Sequence, residues 1–437
     1  MRRLTSLLAT SAALLLAAGT ASAYDKPDFP RLAGVNVGGP FNYDDATYQA
    51  QLSRLNLSIL ASWPNMKPGG VPMEQIVRAI KARNPNSMVF LYINSNELGD
   101  RAVVGGAWDA YRAKMDQMKW YLYQTRTDGA PLTSAWGSTY KTINNTMLTA
   151  PDSSGKHSIE WITTYMVDNL YKPNPSIDGF FMDNVFWKPR VSGDWNRDGV
   201  TDSADSAQAA TWLRLGYQRH FTLAKSLMPG KYQLGNVADW GETKSVLTEY
   251  NGYVQGGVLE GMIGQNYSPE KWGTWNSMMA WYRKTMSALG EPKLGVFNQH
   301  GDLTDYRSFR YGFASCLMDD GYYSFTAAGR GYSGVDWFDE YDVKLGKAIS
   351  SPPTSAWKNG VYRRDFEKGI VLVNPKGNGP QTVTLESGFK RFLGKQAPSV
   401  NNGADVTTVT LQERDGIVLV RKKASAPPAA PQLIAVH

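Results

Sequence analysis

The sequence has little cysteine and histidine for its length. Cys316 is the only cysteine among 437 residues, and the chain has four histidines. Because one thiol cannot form an internal disulfide, the fold must be stabilised by a large apolar core. Cys316 falls in a predicted helix, residues 306–318, and we interpret it as a small buried side chain. Four scattered histidines also disfavour a zinc-dependent hydrolase such as a deacetylase.

Long basic runs, phosphate-binding loops and internal repeats are missing as well. The formal net charge is +7, but the basic residues are spread along the chain, so we expect no nucleic-acid partner. Gly38-Gly39 follows the first predicted strand without the G-x-G-x-x-G spacing of a dinucleotide-binding loop. We therefore interpret it as a turn, and we expect a monomer without an organic cofactor.

The one long apolar run lies at the N-terminus. Arg2 and Arg3 precede the run at residues 7–18, which is followed by the small-x-small sequence Ala21-Ser22-Ala23. The run is shorter than the roughly 20 residues that a membrane anchor needs. The pattern predicts a signal peptide, residues 1–23, and hence an exported protein, periplasmic or extracellular, without a membrane span.

From residue 32 onward, short apolar runs alternate with longer amphipathic segments, which is typical of a parallel sheet wrapped by helices. The apolar runs predict strands at residues 32–37, 57–63, 88–94, 177–185, 232–238, 257–263, 294–298 and 322–325. Helices are predicted at residues 44–55, 73–83, 207–227 and 306–318, with at least two more and a polar excursion within 107–170. Eight strands in one run favour a closed (β/α)8 TIM barrel, residues 24–350, over an open doubly wound sheet.

A change in composition near Ser350-Ser351-Pro352-Pro353 predicts a domain boundary. Beyond it, antiparallel strands are predicted at residues 369–373, 382–385, 406–411 and 417–420. The turn Arg414-Asp415-Gly416 precedes the last of them and is typical of a hairpin. We predict a small C-terminal antiparallel β-sandwich or half-barrel over residues 354–423 and a disordered, Ala- and Pro-rich tail at 424–437.

Two predicted barrel strands end in carboxylates. Asp183 closes the fourth strand and Glu260 lies on the sixth, at the end of a TIM barrel where reactive groups sit. Burying a charge there without a purpose is costly. With one strand between them, the two side chains can converge over the barrel mouth, as a pair flanking a glycosidic bond must. Asp239, after the fifth strand, is a rival candidate or a ligand for a substrate hydroxyl. A salt bridge or a helix cap is the structural alternative for each carboxylate.

Other strand ends carry amide, imidazole and aromatic side chains of the kind that bind sugars. The predicted substrate-binding residues are Trp63, Tyr92, Asn94, Asn184, Trp187, Asp239, Trp240, Gln265, Asn298 and His300. Trp187 and Trp240 would supply stacking faces for pyranose rings. Local capping, or packing under a loop, is the competing explanation for each of these side chains.

Four segments carry a resemblance to a known family. They are the Asp-Gly-Phe-Phe-Met-Asp-Asn-Val run at 178–185, Gly-Val-Leu-Glu-Gly at 257–261, Trp-Phe-Asp-Glu-Tyr at 337–341 and the block at 364–375. In this order they resemble the bacterial family called hypothetical glycosyl hydrolase fifteen, and the likeness covers most of residues 30–422. The resemblance implies a TIM-barrel glycoside hydrolase that acts on a carbohydrate.

The family is similar in layout to barrel enzymes that include α-galactosidases. There an Asp ending strand four is the nucleophile and an acid from strand six is the proton donor. Carried over, Asp183 would be the nucleophile and Glu260 the acid/base in a double displacement. α-Galactosidases have Asp at the second position, so the exchanged assignment stays open. A double displacement also leads us to expect a low pKa for the nucleophile, helped by the adjacent Asn184. A catalytically inactive carbohydrate-binding barrel is the alternative function.

Residues 194–205 reproduce the spacing of a calcium-binding loop, with oxygen ligands at positions one, three and five, Gly at six and a carboxylate at twelve. The sequence resembles a single dockerin-type loop. The predicted ligands of a structural Ca²⁺ are Asp194, Asn196, Asp198, Val200 through its carbonyl, Asp202 and Asp205. The alternative is an acidic turn held by Asx hydrogen bonds.

Overall fold

The structure is a computed structural model that describes residues 24–62, 70–99, 106–125, 129–243, 246–264 and 267–422. The predicted signal peptide, the predicted C-terminal tail, Trp63 and Gln265 therefore lie outside the described residues. Among the residues that are described, no helix is both long enough and apolar enough to cross a membrane.

Eight parallel strands form a barrel in which neighbours in the sheet follow the order of the chain. The strands are Ala33–Asn36, Leu57–Ala61, Met88–Ile93, Gly179–Met182, Tyr232–Asn236, Gly256–Ile263, Leu294–Gly301 and Tyr322–Ala327. A parallel bridge between Leu32 and Tyr323 brings the last strand back to the first. The predicted TIM barrel is confirmed.

Alternate side chains of the barrel strands point to two different cores, because successive residues of a strand face opposite sides of the sheet. Ile59, Phe90 and Val296 belong to the cluster inside the barrel, whereas Leu60 and Leu91 pack in the layer shared with the helices. The described helices are Ala46–Leu52, Met73–Arg83, Gly106–Met118, Ser158–Met166, Ala207–Leu227, Pro269–Trp272, Trp275–Ala288 and Tyr306–Leu317.

A small three-stranded sheet is inserted between the third and fourth barrel strands. Its strands are Glu97–Gly99, Thr133–Ser134 and Gly137–Thr142, with the last in the centre. The sequence predicted only a polar excursion here. The insertion matters because it carries Glu97 and Trp136 to the barrel mouth.

The C-terminal β-domain is confirmed as a five-stranded antiparallel sheet. Its strands are Tyr362–Phe366, Gly369–Asn374, Gln381–Arg391, Asp405–Leu411 and Asp415–Arg421. One face packs on the barrel, where Arg310 of the last barrel helix forms a 3.1 Å ion pair with Asp415. The other face has its own apolar core, which includes Leu372 and Leu419.

The β-domain also binds the segment that follows the eighth barrel strand. Asn401 donates a 2.9 Å hydrogen bond to Glu340. The carboxylate of Asp339 accepts from the backbone amides of Lys395 and Gln396. This segment is thus anchored at one end by the barrel and at the other by the β-domain.

Candidate active site

Asp183 directly follows the fourth barrel strand, and its backbone N–H donates to the carbonyl of Ile93 at 2.8 Å. Its carboxylate accepts three hydrogen bonds. Tyr92 Oη donates to Oδ2 at 2.6 Å, while the backbone N–H of Asn184 at 2.9 Å and Asn236 Nδ2 at 3.0 Å donate to Oδ1. Asn184 has a positive φ of 57°, a conformation that asparagine tolerates better than most residues. Asp183 is therefore held in one orientation by groups from three strand ends.

Glu260 lies within the sixth strand, just before an irregularity in its pairing with the seventh. Gly261 has φ of 63°, and the register between the two strands shifts between Phe297 and Gln299. A bulge of this kind re-aims the neighbouring side chain. The Gly261 N–H donates to Asn298 Oδ1 at 3.3 Å. Asn298 is buried, and it supports this bend instead of facing the pocket.

Tyr332 and His300 surround the other side of Glu260. Tyr332 Oη donates a short hydrogen bond to Glu260 Oε1 and lies 3.3 Å from His300 Nε2. Burial lowers the pKa of His300, although the Glu260 charge opposes this shift. The imidazole is therefore biased towards its neutral form beside the carboxylate.

One amide joins the two carboxylates. Asn236 Nδ2, at the end of the fifth strand, donates to Asp183 Oδ1 and to Glu260 Oε2, each at 3.0 Å. The two acceptor oxygens can be no further apart than twice that length, 6.0 Å. The structure thus brings Asp183 and Glu260 together over one pocket.

Burial shifts the pKa of two acidic groups at the mouth. Burial raises the pKa of Asp183, and the Glu260 charge adds to the shift, while the donors Tyr92, Asn236 and Asn184 oppose it. The low pKa expected for Asp183 is therefore wrong in direction, because desolvation outweighs three hydrogen bonds. Burial also raises the pKa of Glu97 to about 7, with a smaller contribution from Asp183.

Several predicted substrate-binding residues lie elsewhere than on the pocket wall. Trp240 is 2% exposed and stacks on Tyr250 with ring centroids 4.9 Å apart, so it offers no face to a sugar. Asn94 caps a turn, accepting from the backbone amides of Asn96 and Glu97 at 2.8 and 3.1 Å. Core packing therefore replaces the predicted substrate contact of Trp240, whereas the half-buried Asn94 stays a predicted contact that also caps a turn.

Other predicted residues do line cavities at the mouth. Tyr92, Asp183 and Glu260 surround a pocket of about 190 Å³. Asn184 and Asp239 line an adjoining pocket of about 210 Å³, and His300 lines a third of about 290 Å³. Trp187 is half-buried, and its indole N–H donates to Glu242 at 3.3 Å.

The sequence did not single out several residues that shape the site. They are Glu97, Trp136, Arg190, Asn236, Tyr267 and Tyr332. Asn236 ends the observed fifth strand and lies near the end of the strand predicted at residues 232–238, so the strand-end argument that selected Asp183 would have found it. Tyr332 and Trp136 lie in loops whose approach to the mouth depends on closure of the barrel.

The predicted calcium loop is held by its own backbone. Asp194 accepts from the N–H groups of Asp198 and Gly199 at 3.1 and 3.0 Å. Asp205 is turned away, with its side chain 82% exposed and 2.5 Å from Lys188 Nζ. In the part of the chain that the structure describes, no three acidic, histidine or cysteine side chains converge as metal ligands. As placed, Asp194 accepts from the amides of the turn and Asp205 pairs with Lys188, so the calcium site stays a prediction.

A TIM barrel with two facing carboxylates at its mouth has the architecture of a glycoside hydrolase. The model of Hypothetical glycosyl hydrolase family 15 matches residues 81–370. The chain belongs to this family and is a glycoside hydrolase. No curated protein matches its sequence.

Solved structures are similar in fold at very low sequence identity. An α-amylase from Anoxybacillus is 11% identical, with 91% of this chain and 98% of that chain covered and a TM-score of 0.50. A GH36 α-galactosidase from Geobacillus stearothermophilus is 9% identical, with 90% and 55% covered and a TM-score of 0.45. The likeness to the α-amylase shows the fold alone and does not identify the substrate.

Proposed function

We propose that this protein is an exported, retaining glycoside hydrolase of oligo- or polysaccharides, with Asp183 as nucleophile and Glu260 as acid/base. In the first step, a carboxylate oxygen of Asp183 bonds to the anomeric carbon while the glycosidic C–O bond breaks, and Glu260 gives its proton to the leaving oxygen. In the second step, Glu260 takes a proton from water, and the water oxygen displaces Asp183 from the anomeric carbon.

The bridging amide of Asn236 is the observation that carries this proposal. The two N–H bonds of a planar amide diverge by about 120°, so acceptors on both hydrogens lie about 5 Å apart. Carboxyl groups at about 5 Å are typical of retaining enzymes, whereas inverting enzymes leave room for a water at roughly 6.5 Å or more. The 6.0 Å upper limit between the two oxygens favours retention.

The surroundings of the two carboxylates favour this assignment of roles. Asp183 is fixed by three donors that aim its oxygens and offset part of the rise in its pKa on burial. Glu260 contacts Tyr332, which in turn contacts His300. Glu260 thus has a hydroxyl donor and a nearby imidazole beside it, surroundings that suit a group which is protonated and deprotonated in each cycle. Export is proposed from the N-terminal segment alone.

Activity should first be sought on a panel of α- and β-linked aryl glycosides and soluble polysaccharides, with the anomeric form of the product read by NMR. Asp183→Asn should abolish turnover.

Glu260→Gln should retain activity on substrates whose aryl leaving group needs no protonation, and azide should rescue it with a product of retained configuration. If azide instead gives the inverted product with Glu260→Gln, the roles are exchanged. Inverted hydrolysis by the wild type would refute retention, and glycan binding without turnover would refute the enzyme.

A further inference from the structure

The catalytic pocket is the middle of three cavities that share walls. The pocket lined by Asp183 also has Asn236 and Glu260 in its wall, and both residues line the cavity beside Asp239. On the opposite side, Tyr332 is common to the catalytic pocket and to the cavity lined by His300. The three cavities therefore adjoin one another at the carboxylate pair, and we call them together the cleft.

Aromatic side chains line the Asp239 side of this cleft. Trp136, on the inserted sheet, is 63% exposed and forms part of the cavity wall together with Tyr267. Trp272 is 59% exposed, and its ring lies 4.7 Å from that of Tyr267 in an edge-on arrangement. Trp136 shares a cavity wall with Tyr267, and Trp272 contacts the same tyrosine, so the exposed faces of the two tryptophans are suited to stacking of sugar rings. We call Trp136, Tyr267 and Trp272 the aromatic platform.

Polar groups beside the platform are suited to hydroxyl recognition. Arg190 pairs with Asp239 Oδ2 at 2.9 Å. Asp239 is 4% exposed, and its Oδ1 has no hydrogen-bond partner among the described residues. Burial raises the pKa of Asp239 to about 7, although Arg190 opposes this shift. Arg190 and Asp239 both line this cavity, so a sugar hydroxyl there would lie beside a donor and an acidic group while its ring stacks on the platform.

We propose that the substrate is a polysaccharide chain that lies across both sides of the catalytic pair and is cut internally, with the aromatic platform holding the part of the chain on the Asp239 side. This inference rests on the proposed function and makes it more specific. A cleft with subsites on both sides admits the middle of a chain, whereas a pocket closed at one end admits only a chain terminus.

The test compares the wild type with Trp136→Ala and Trp272→Ala on the best-cleaved polymer of a panel of soluble starch, pullulan, dextran, galactomannan and arabinogalactan. The short comparison substrate is the aryl glycoside of the same sugar. Tyr253→Ala is the matched control, because Tyr253 is an exposed aromatic residue that precedes the sixth strand at the opposite end of the barrel. Polymer viscosity and new reducing ends are followed together.

We expect an early fall in viscosity with few new reducing ends, as internal cleavage produces. Each tryptophan variant should lose about tenfold in kcat/KM on the polymer, with little change on the aryl glycoside. Tyr253→Ala should match the wild type on both substrates. Release of single sugars without a fall in viscosity would overturn the proposal, as would an equal loss on both substrates.

A separate binding measurement keeps this inference distinct from the proposed function. Affinity electrophoresis of Asp183→Asn in gels that contain each polymer measures chain binding without turnover. Retardation that is weakened by Trp136→Ala in this background supports the platform even if the assignment of roles fails. The aromatic platform would be refuted if neither tryptophan change alters the retardation. It would also be refuted if no polymer retards the protein.

Discussion

The barrel mouth and the loop at residues 194–205 are both rich in acidic side chains, but their hydrogen bonds have different origins. At the mouth, Asp183 and Glu260 are held by side chains from other strands and loops. In the loop, Asp194 accepts from amides four and five residues away. A carboxylate that accepts hydrogen bonds from distant segments depends on the whole fold and can serve chemistry at a site. A carboxylate that accepts from nearby backbone amides mainly shapes a turn.

The largest effect should follow from removal of the amide that joins the two carboxylates. Asn236→Ala leaves both without a shared donor, so kcat/KM should fall by about 100-fold or more, in the range seen when one preorganised donor is lost. The matched change in the loop, Asn196→Ala, should leave kcat/KM unaltered. Steady-state kinetics on the panel substrate measure both variants. Near-normal activity of Asn236→Ala would show that the bridge is not needed for catalysis.

A smaller loss should follow Tyr332→Phe, which removes only the hydroxyl. The ring remains in place, but Glu260 loses a donor and its contact towards His300. We expect kcat to fall about tenfold, with the pH profile of kcat displaced, because the hydroxyl acts on the protonation of Glu260. A KM effect alone, with an unmoved pH profile, would make Tyr332 a substrate contact instead of a positioning residue.

Stability should respond to the protonation of Glu97. Since the folded protein raises the pKa of Glu97 from 4.5 to about 7, the protonated side chain favours the fold. This contribution is complete below pH 4.5 and disappears as the pH rises through about 7. The wild type should lose roughly 1 to 3 kcal/mol of unfolding free energy between pH 5 and pH 8. Glu97→Gln should flatten this decline in urea titrations at several pH values, and an unchanged slope would contradict the shift.

The smallest effect concerns calcium, which we retain as a proposal for the loop. Binding would require Asp205 to leave Lys188, so saturating calcium should raise the unfolding midpoint of the wild type by only about 2 to 4 °C. Lys188→Met, which frees Asp205, should bind calcium more tightly by titration calorimetry, and Asp198→Asn should abolish the response. If the unfolding midpoints of the wild type and of both variants are the same with calcium as with chelator, the loop binds no calcium and is a hydrogen-bonded turn.

The sequence predicted the barrel because alternating apolar runs reflect the burial of a parallel sheet on both faces. It selected Asp183 and Glu260 because carboxylates at strand ends are expensive without a function. It did not predict which aromatic side chain turns inward, so Trp240 was assigned to the substrate although it stacks on Tyr250. Neither Tyr332 nor Trp136 has a periodic signal, since their positions depend on how long loops fold over a closed barrel.

The anchoring of residues 339 and 340 by the β-domain links that domain to catalysis. These two residues lie at the end of the segment that follows the eighth barrel strand and includes Tyr332. The barrel holds one end of this segment and the β-domain holds the other. The β-domain therefore helps to position a residue of the candidate active site. Excising the β-domain would remove one of the two anchors of the segment that carries Tyr332 to Glu260.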